Sequence, residues 1–224
     1  MEQPEGKHYN IQNFMMMYIF GSTTNTTYRT KLFDHWPTYL EDFNECKAIM
    51  GYRYPETLVE EFLTQNMAKD SKILDMACGP GNVSFILRQH GYTNVDGLDP
   101  SKGLLDAAME KGLYKNTFCC YVTPDTPTPI AENTYDVLLC SAGMFPGSIV
   151  PQAFTELLRV VKKGGVIAWN IAEDYDGFNE FFKTYDEIYK QLIKDGKWEE
   201  IQPVKKLDNM LFEDAGYTYM MRKL

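Results

Sequence analysis

The chain has 224 residues, 22 of them Lys or Arg against 31 Asp or Glu, a formal net charge of −9, with 44% hydrophobic and 24% charged residues. That length supports one sizeable core with an appendage, and the composition excludes a disordered polar chain and a collagen-like repeat. The acidic balance argues against nucleic acid, because the close basic pairs Lys162-Lys163, Lys205-Lys206 and Arg222-Lys223 are too short to build a phosphate-binding groove.

Residues 1–70 read as an aromatic-rich, mostly helical cap or lid, and residues 71–224 as the core. The N-terminal apolar run Phe14-Met15-Met16-Met17-Tyr18-Ile19-Phe20 is seven residues long. Crossing a bilayer takes roughly 18. The run also lacks the basic flank and cleavage pattern of a signal peptide, so it reads as a packed segment and no membrane partner is expected. Pro55-Glu56-Thr57 opens a helix, since proline suits the first turn and Leu58, Val59, Phe62 and Leu63 follow at helical spacing.

From Lys72 the pattern becomes short apolar runs separated by helices. Strands are predicted at 72–77, 93–98, 116–122, 135–140 and 166–172, with helices at 82–90, 101–111, 151–162 and 177–194. Gly91 closes the first of these helices with a residue that tolerates the left-handed cap. Residues 199–206 and 217–223 read as a terminal strand pair joined by an Asp214-Ala215-Gly216 turn. The fold class is therefore α/β: a doubly wound sheet of seven strands, mostly parallel with an antiparallel C-terminal strand, plus the N-terminal helical cap. Such sheets bind ligands beyond the carboxyl ends of their strands, where strand order reverses.

The five cysteines, Cys46, Cys78, Cys119, Cys120 and Cys140, are odd in number and without CxxC spacing. Neither a disulfide framework nor a zinc knuckle is suggested, and a reducing, cytoplasmic location is expected. His8, His35 and His90 are dispersed, so no metal is expected.

The strongest local signal is Asp75-Met76-Ala77-Cys78-Gly79-Pro80-Gly81-Asn82, a small-residue turn between a strand and a helix. Small residues let backbone approach a ligand, and free amides at a helix start attract an anion. Twenty residues past Gly79, Asp99 closes the second strand, where a carboxylate can accept two hydrogen bonds from a ribose diol. Its neighbour Asp96 is expected to be a solvated surface charge. A dinucleotide fingerprint, G-x-G-x-x-G/A, fails in both registers: it meets Ser84 counting from Gly79 and Asn82 counting from Ala77.

The sequence D-x-A-C-G-P-G instead resembles the first motif of class I S-adenosylmethionine-dependent methyltransferases, D/E-x-G-x-G-x-G, with Ala77 in place of the first glycine. The resemblance continues through Asp99 and through Pro129-Ile130-Ala131-Glu132-Asn133-Thr134-Tyr135-Asp136. It extends to Leu157-Leu158-Arg159-Val160-Val161-Lys162-Lys163-Gly164-Gly165, and upstream to Phe33-Asp34-His35-Trp36-Pro37-Thr38-Tyr39. Gly112-Leu113-Tyr114 and Gly196-Lys197-Trp198-Glu199 are similar to features of the Williams–Beuren syndrome region methyltransferase-like proteins.

The resemblance implies a Rossmann-like fold that binds S-adenosyl-L-methionine and releases S-adenosyl-L-homocysteine. It implies that Ala77, Gly79 and Gly81 line the methionine end of the cofactor, with Asp75 in support. Asp99 then holds the ribose hydroxyls, Pro100 packs near the adenine, Val122 and Thr123 lie at its edge, and Cys140 faces the cofactor beside Ser141. The residues also allow Cys140 to be a small buried hydrophobe.

Methyl transfer needs positioning more than covalent help. His35 and Tyr39 are the expected acceptor-side catalytic residues, with Glu173 and Asp174 as further candidates. The expected acceptor is an oxygen or nitrogen of a small molecule, and the expected assembly a monomer or homodimer. A protein-directed methyltransferase and a non-catalytic adenosine-cofactor binder are the open alternatives.

Overall fold

The computed structural model describes residues 30, 33–34, 51–173, 179–211 and 214–224. One mixed sheet runs through it, in the order β3-β2-β1-β4-β5-β8-β6, with β7 also paired to β8. The strands are β1 (Ile73–Met76), β2 (Val95–Leu98), β3 (Thr117–Phe118), β4 (Tyr135–Ser141), β5 (Val161–Ala172), β6 (Trp198–Glu200), β7 (Lys205–Leu211) and β8 (Asp214–Lys223). β1 to β5 are mutually parallel, with Ile73 level with both Val95 and Val137, and β8 lies antiparallel to β5. The chain leaves β1 in one direction toward β2 and β3, then returns to β4 on the other side. Strand order therefore reverses between β1 and β4, the place where such sheets hold ligands.

Alternation along the buried strands builds a core on each face. Ile73, Val95 and Val137 pack with Leu58, Val59 and Phe62 of α1 (Tyr54–Leu63), Val83 and Leu87 of α2 (Asn82–Gln89) and Leu105 of α3 (Lys102–Glu110). Leu74, Met76, Leu138 and Trp169 pack on the other face with Phe154 and Leu157 of α4 (Phe154–Val160) and Tyr185 and Tyr189 of α5 (Asn179–Lys194). The Trp169 indole N–H, which would otherwise be an orphaned buried donor, donates to the Tyr185 hydroxyl at 2.7 Å.

Several expectations need correction. The sheet has eight strands rather than seven, because the predicted strand at 199–206 is two, β6 and β7, separated around Pro203, which has no N–H for a ladder. Asp214, Ala215 and Gly216 are not a turn but the start of β8, with Gly216 level with Ala172. The helix predicted at 151–162 stops at Val160, after a short turn of 3₁₀ helix at Pro151–Ala153. Val161 already pairs with Tyr135, and the register slips before Val166, so the lysine and glycine run 162–165 is an irregular strand opening. The third strand shrinks from 116–122 to Thr117–Phe118.

Asp96 is not a solvated charge: it is 2% exposed. Its carboxylate accepts the Tyr135 hydroxyl at 2.9 Å and both the backbone and side-chain N–H of Asn116, with Lys72 at 3.7 Å. Strand alternation misleads here because β2 is flanked on both sides and covered at both faces. Gly91 does take the left-handed cap, at φ 84°.

Candidate functional site

The turn after β1 is built from positive-φ residues: Ala77 at 56°, Gly79 at 51° and Gly81 at 93°. Glycine adopts this region freely, whereas the alanine at Ala77 is held there at a cost of roughly 1 kcal/mol. A side chain at Gly79 would meet nothing within 4 Å, so the turn presents bare backbone to open space. Gly81 caps α2 without a side-chain bond to its amides, and a Cβ there would come within 2.4 Å of Leu113 Cδ1.

Asp99, just after β2, is bound to that turn. Its Oδ2 accepts the Gly79 N–H at 3.0 Å, and its Oδ1 accepts the Ser101 N–H at 2.9 Å. Burial raises its carboxyl to about 6, the two amide bonds working in the opposite direction. Asp75 lies deeper, and burial raises it to about 7 despite a 2.7 Å hydrogen bond from the Tyr114 hydroxyl. Asp75 Oδ1 is buried with no hydrogen-bond partner among the described residues.

Leu98 and Pro100, on either side of Asp99, help to wall a cavity of about 220 Å³, together with Ala77, Val122, Thr123 and Ile149. Thr30 and Phe33 lie at the same cavity, and the Tyr121 hydroxyl donates to Thr30 Oγ1 at 2.8 Å. Asp34 Oδ1 accepts the Ser101 hydroxyl at 2.8 Å and the Gly103 N–H at 3.3 Å, so Asp34 is tied to the start of α3.

The structure therefore brings Ala77, Pro100, Val122 and Thr123 to one cavity, and ties Gly79 to Asp99. Cys140 is fully buried, with its thiol pushed far up by burial, and does not line that cavity. Its position is that of a packing residue: a Cβ added to Gly143 would lie 2.6 Å from Cys140 Sγ and 2.7 Å from Ala77 Cβ. Glu173 accepts Lys206 at 2.5 Å and the Tyr217 hydroxyl at 3.0 Å, and these bonds hold its carboxyl below the usual range. A carboxylate so engaged is a poor base. His35, Tyr39 and Asp174 lie outside the described residues.

Other residues at the site were not singled out from the sequence for the roles they play. Tyr114 is the partner of Asp75, a role that its Gly-Leu-Tyr run does not signal. Gly97 leaves room for that ring, since a Cβ there would sit 2.9 Å from Tyr114 Cδ2. Asn170, fully buried in β5, accepts the Ala142 N–H at 2.9 Å and donates to the Tyr54 carbonyl at 2.6 Å, joining the end of β4 to the start of α1. The signal available in the sequence is an asparagine inside the apolar run of β5.

Among the described residues no group of three or more His, Cys, Asp or Glu could hold a metal ion, and no helix is long and apolar enough to cross a membrane.

Residues 73–165 match the methyltransferase domain family. The chain is 29% identical to methyltransferase-like protein 27 of Homo sapiens over 180 residues, 78% of this chain and 71% of that protein. It is 26% identical to the demethylmenaquinone methyltransferase of Symbiobacterium thermophilum over 204 residues, 84% of this chain and 80% of that one. Among solved structures, a geranyl diphosphate methyltransferase in complex with S-adenosylmethionine superposes with a TM-score of 0.56 at 13% identity, over 76% of this chain and 84% of that one. MccD protein superposes at 0.57 with 16% identity, over 75% of this chain and 97% of that one. Strand order, turn and relatives agree in making the chain similar to the class I S-adenosylmethionine-dependent methyltransferases.

Proposed function

We infer that the chain moves the methyl group of S-adenosylmethionine to an oxygen or nitrogen nucleophile of a small molecule. The observation that carries this reading is the 3.0 Å hydrogen bond from Gly79 N–H to Asp99 Oδ2, which joins the small-residue turn to the acid after β2 beside an apolar cavity.

The residues fit the cofactor. Each Asp99 oxygen keeps a lone pair after receiving one amide, so the carboxylate can accept a ribose diol. Leu98, Pro100 and Val122 offer an apolar wall to a purine. Open space in front of Gly79 leaves room for a polar group at the turn. In this reading Ala77, Gly79 and Gly81 line the methionine end with Asp75 behind them. Asp99 holds the ribose, Pro100, Val122 and Thr123 pack about the adenine, and Cys140 fills space beneath.

When bound, the cofactor supplies a sulfonium methyl open to in-line displacement. The chain's own part is to hold two reactants in line, an effect worth about 7–11 kcal/mol in well-oriented systems. Residues 1–70 form the cap in this reading, with His35 and Tyr39 on the acceptor side and Thr30 and Phe33 at the cavity rim. A small acceptor is supported by relatives named for demethylmenaquinone and geranyl diphosphate. The free thiols of Cys78, Cys119, Cys120 and Cys140 support a cytoplasmic location.

The test is calorimetric titration with S-adenosylmethionine, S-adenosylhomocysteine and NAD, repeated on Asp99→Ala. Binding of both sulfur nucleosides that weakens by about a hundredfold in the variant supports the reading. Binding of NAD alone, or of nothing, ends it.

A further inference from the structure

Three residues that precede α1 meet the cofactor side of the sheet: Thr30, Phe33 and Asp34. Their backbone is helical. Positions three and four apart on a helix share one face, so all three can turn to the core together. Thr30 and Phe33 wall the cavity with Pro100, Tyr121 and Val122. Thr30 Oγ1 accepts the Tyr121 hydroxyl at 2.8 Å, which gives this face one fixing point.

Asp34 gives the second. Its Oδ1 accepts the Ser101 hydroxyl and the Gly103 N–H at the first turn of α3, where a carboxylate also meets the positive end of the helix dipole. Ser101 donates its backbone N–H to Asp99 Oδ1 at 2.9 Å, so the residue that holds the acid assigned to the ribose also holds Asp34. Gly103 lets the two backbones come close: a Cβ there would lie 2.3 Å from the Asp34 carbonyl oxygen and 3.0 Å from its Cα. Backbone cannot swing aside as the tip of a side chain does, so this docking needs glycine at 103.

We propose that Phe33 is a cofactor-binding residue whose ring packs on the purine, and that the contacts of Thr30 with Tyr121 and of Asp34 with Ser101 and Gly103 hold it in place. This rests on the methyltransferase reading above. Among the described residues no charged side chain lines the cavity, which suits a neutral base and not the charged methionine end. Leu98, Val122 and Ile149 share the cavity with Phe33, and a purine has two flat faces for such a wall. A ring adds stacking to burial. Thr30 and Asp34 are positioning residues: their loss frees Phe33 without removing it, so it costs less than the loss of the ring.

The test is calorimetric titration of the full chain with S-adenosylhomocysteine and, in parallel, with adenosine, which carries the purine and ribose without the amino-acid end. Phe33→Ala is expected to weaken both ligands by the same factor, about tenfold, and Phe33→Tyr to stay within about twofold of wild type. Gly103→Ala and Asp34→Ala are each expected to weaken both ligands by about threefold to fivefold. Alanine favours a helix over glycine, so Gly103→Ala keeps its far-ultraviolet circular dichroism, which separates lost anchoring from lost folding. Asp34→Asn, which keeps an acceptor oxygen, recovers most of the loss. Affinity within about twofold of wild type in Phe33→Ala overturns the proposal, as does a loss confined to S-adenosylhomocysteine, which would place the ring at the amino-acid end. Unchanged affinity in both Gly103→Ala and Asp34→Ala overturns the anchoring. A wild-type chain that binds no S-adenosylhomocysteine fails the methyltransferase reading itself and this proposal with it.

Discussion

Two sides of the molecule can be set against each other: the ends of β1 and β2, and the ends of β4 and β5. At Asp99, just after β2, both carboxylate oxygens are satisfied within 20 residues, by the Gly79 and Ser101 amides. Around β4 and β5 the polar groups come from Glu56, Ser141 and Asn170, and the Glu56 Oε2 and Ser141 Oγ atoms lack partners among the described residues. A satisfied carboxylate with spare lone pairs suits a ligand common to a whole family. The unpartnered oxygens come from segments far apart in the chain, so nothing local dictates where they meet.

The comparison is broken most directly at Asp99. Replacing it by Ala should lower affinity for S-adenosylhomocysteine by about a hundredfold, read by calorimetry, while the β4 and β5 side is left intact. Equal loss from Ser141→Ala would erase the distinction between the two sides. On the stability scale, Asp75 should have the largest effect. Its folded-state value of about 7 stands above the unfolded value of 3.8. Between these values the folded chain holds the extra proton, so stability is greatest at low pH and falls by about 2–4 kcal/mol as pH rises to 7. Melting curves across this range check it, and Asp75→Asn should flatten that slope.

Tyr114→Phe is expected to cost about 1–3 kcal/mol by leaving Asp75 Oδ2 without its donor, measured by urea denaturation. Gly143→Ala should cost a similar amount, about 1–3 kcal/mol, because its Cβ would crowd Cys140 and Ala77, the point at which the two sides touch. The smallest expected effect concerns affinity and pH. Asp99 accepts best when ionised and sits at about 6. Affinity for S-adenosylhomocysteine should therefore fall below that pH, by up to about tenfold per unit, and Asp99→Asn should show no such fall.

The chain's own pattern accounts for much of the β1 and β2 side. Small residues and a lone acid after consecutive strands are local signals, and the α/β class follows from strands alternating with helices. Asp96 shows where this reading fails. Its burial depends on Tyr135, 39 positions away, whose hydroxyl it accepts. The split of the predicted 199–206 strand is partly visible in Pro203. The insertion of β8 between β5 and β6 is not, since pairing order depends on which edge remains open after the parallel strands have assembled.

Sequence alone determined the class of fold, the turn at Ala77–Gly81 and the acid at Asp99, because each rests on residues within about one βαβ unit, where geometry is local. Only the tertiary structure decided that Asp75 is buried beside Tyr114, that Asp34 reaches the start of α3, and that Glu56 keeps one buried oxygen with no partner among the described residues. Burial and pairing of a charge depend on what the rest of the chain brings to it, and no window of sequence contains that information.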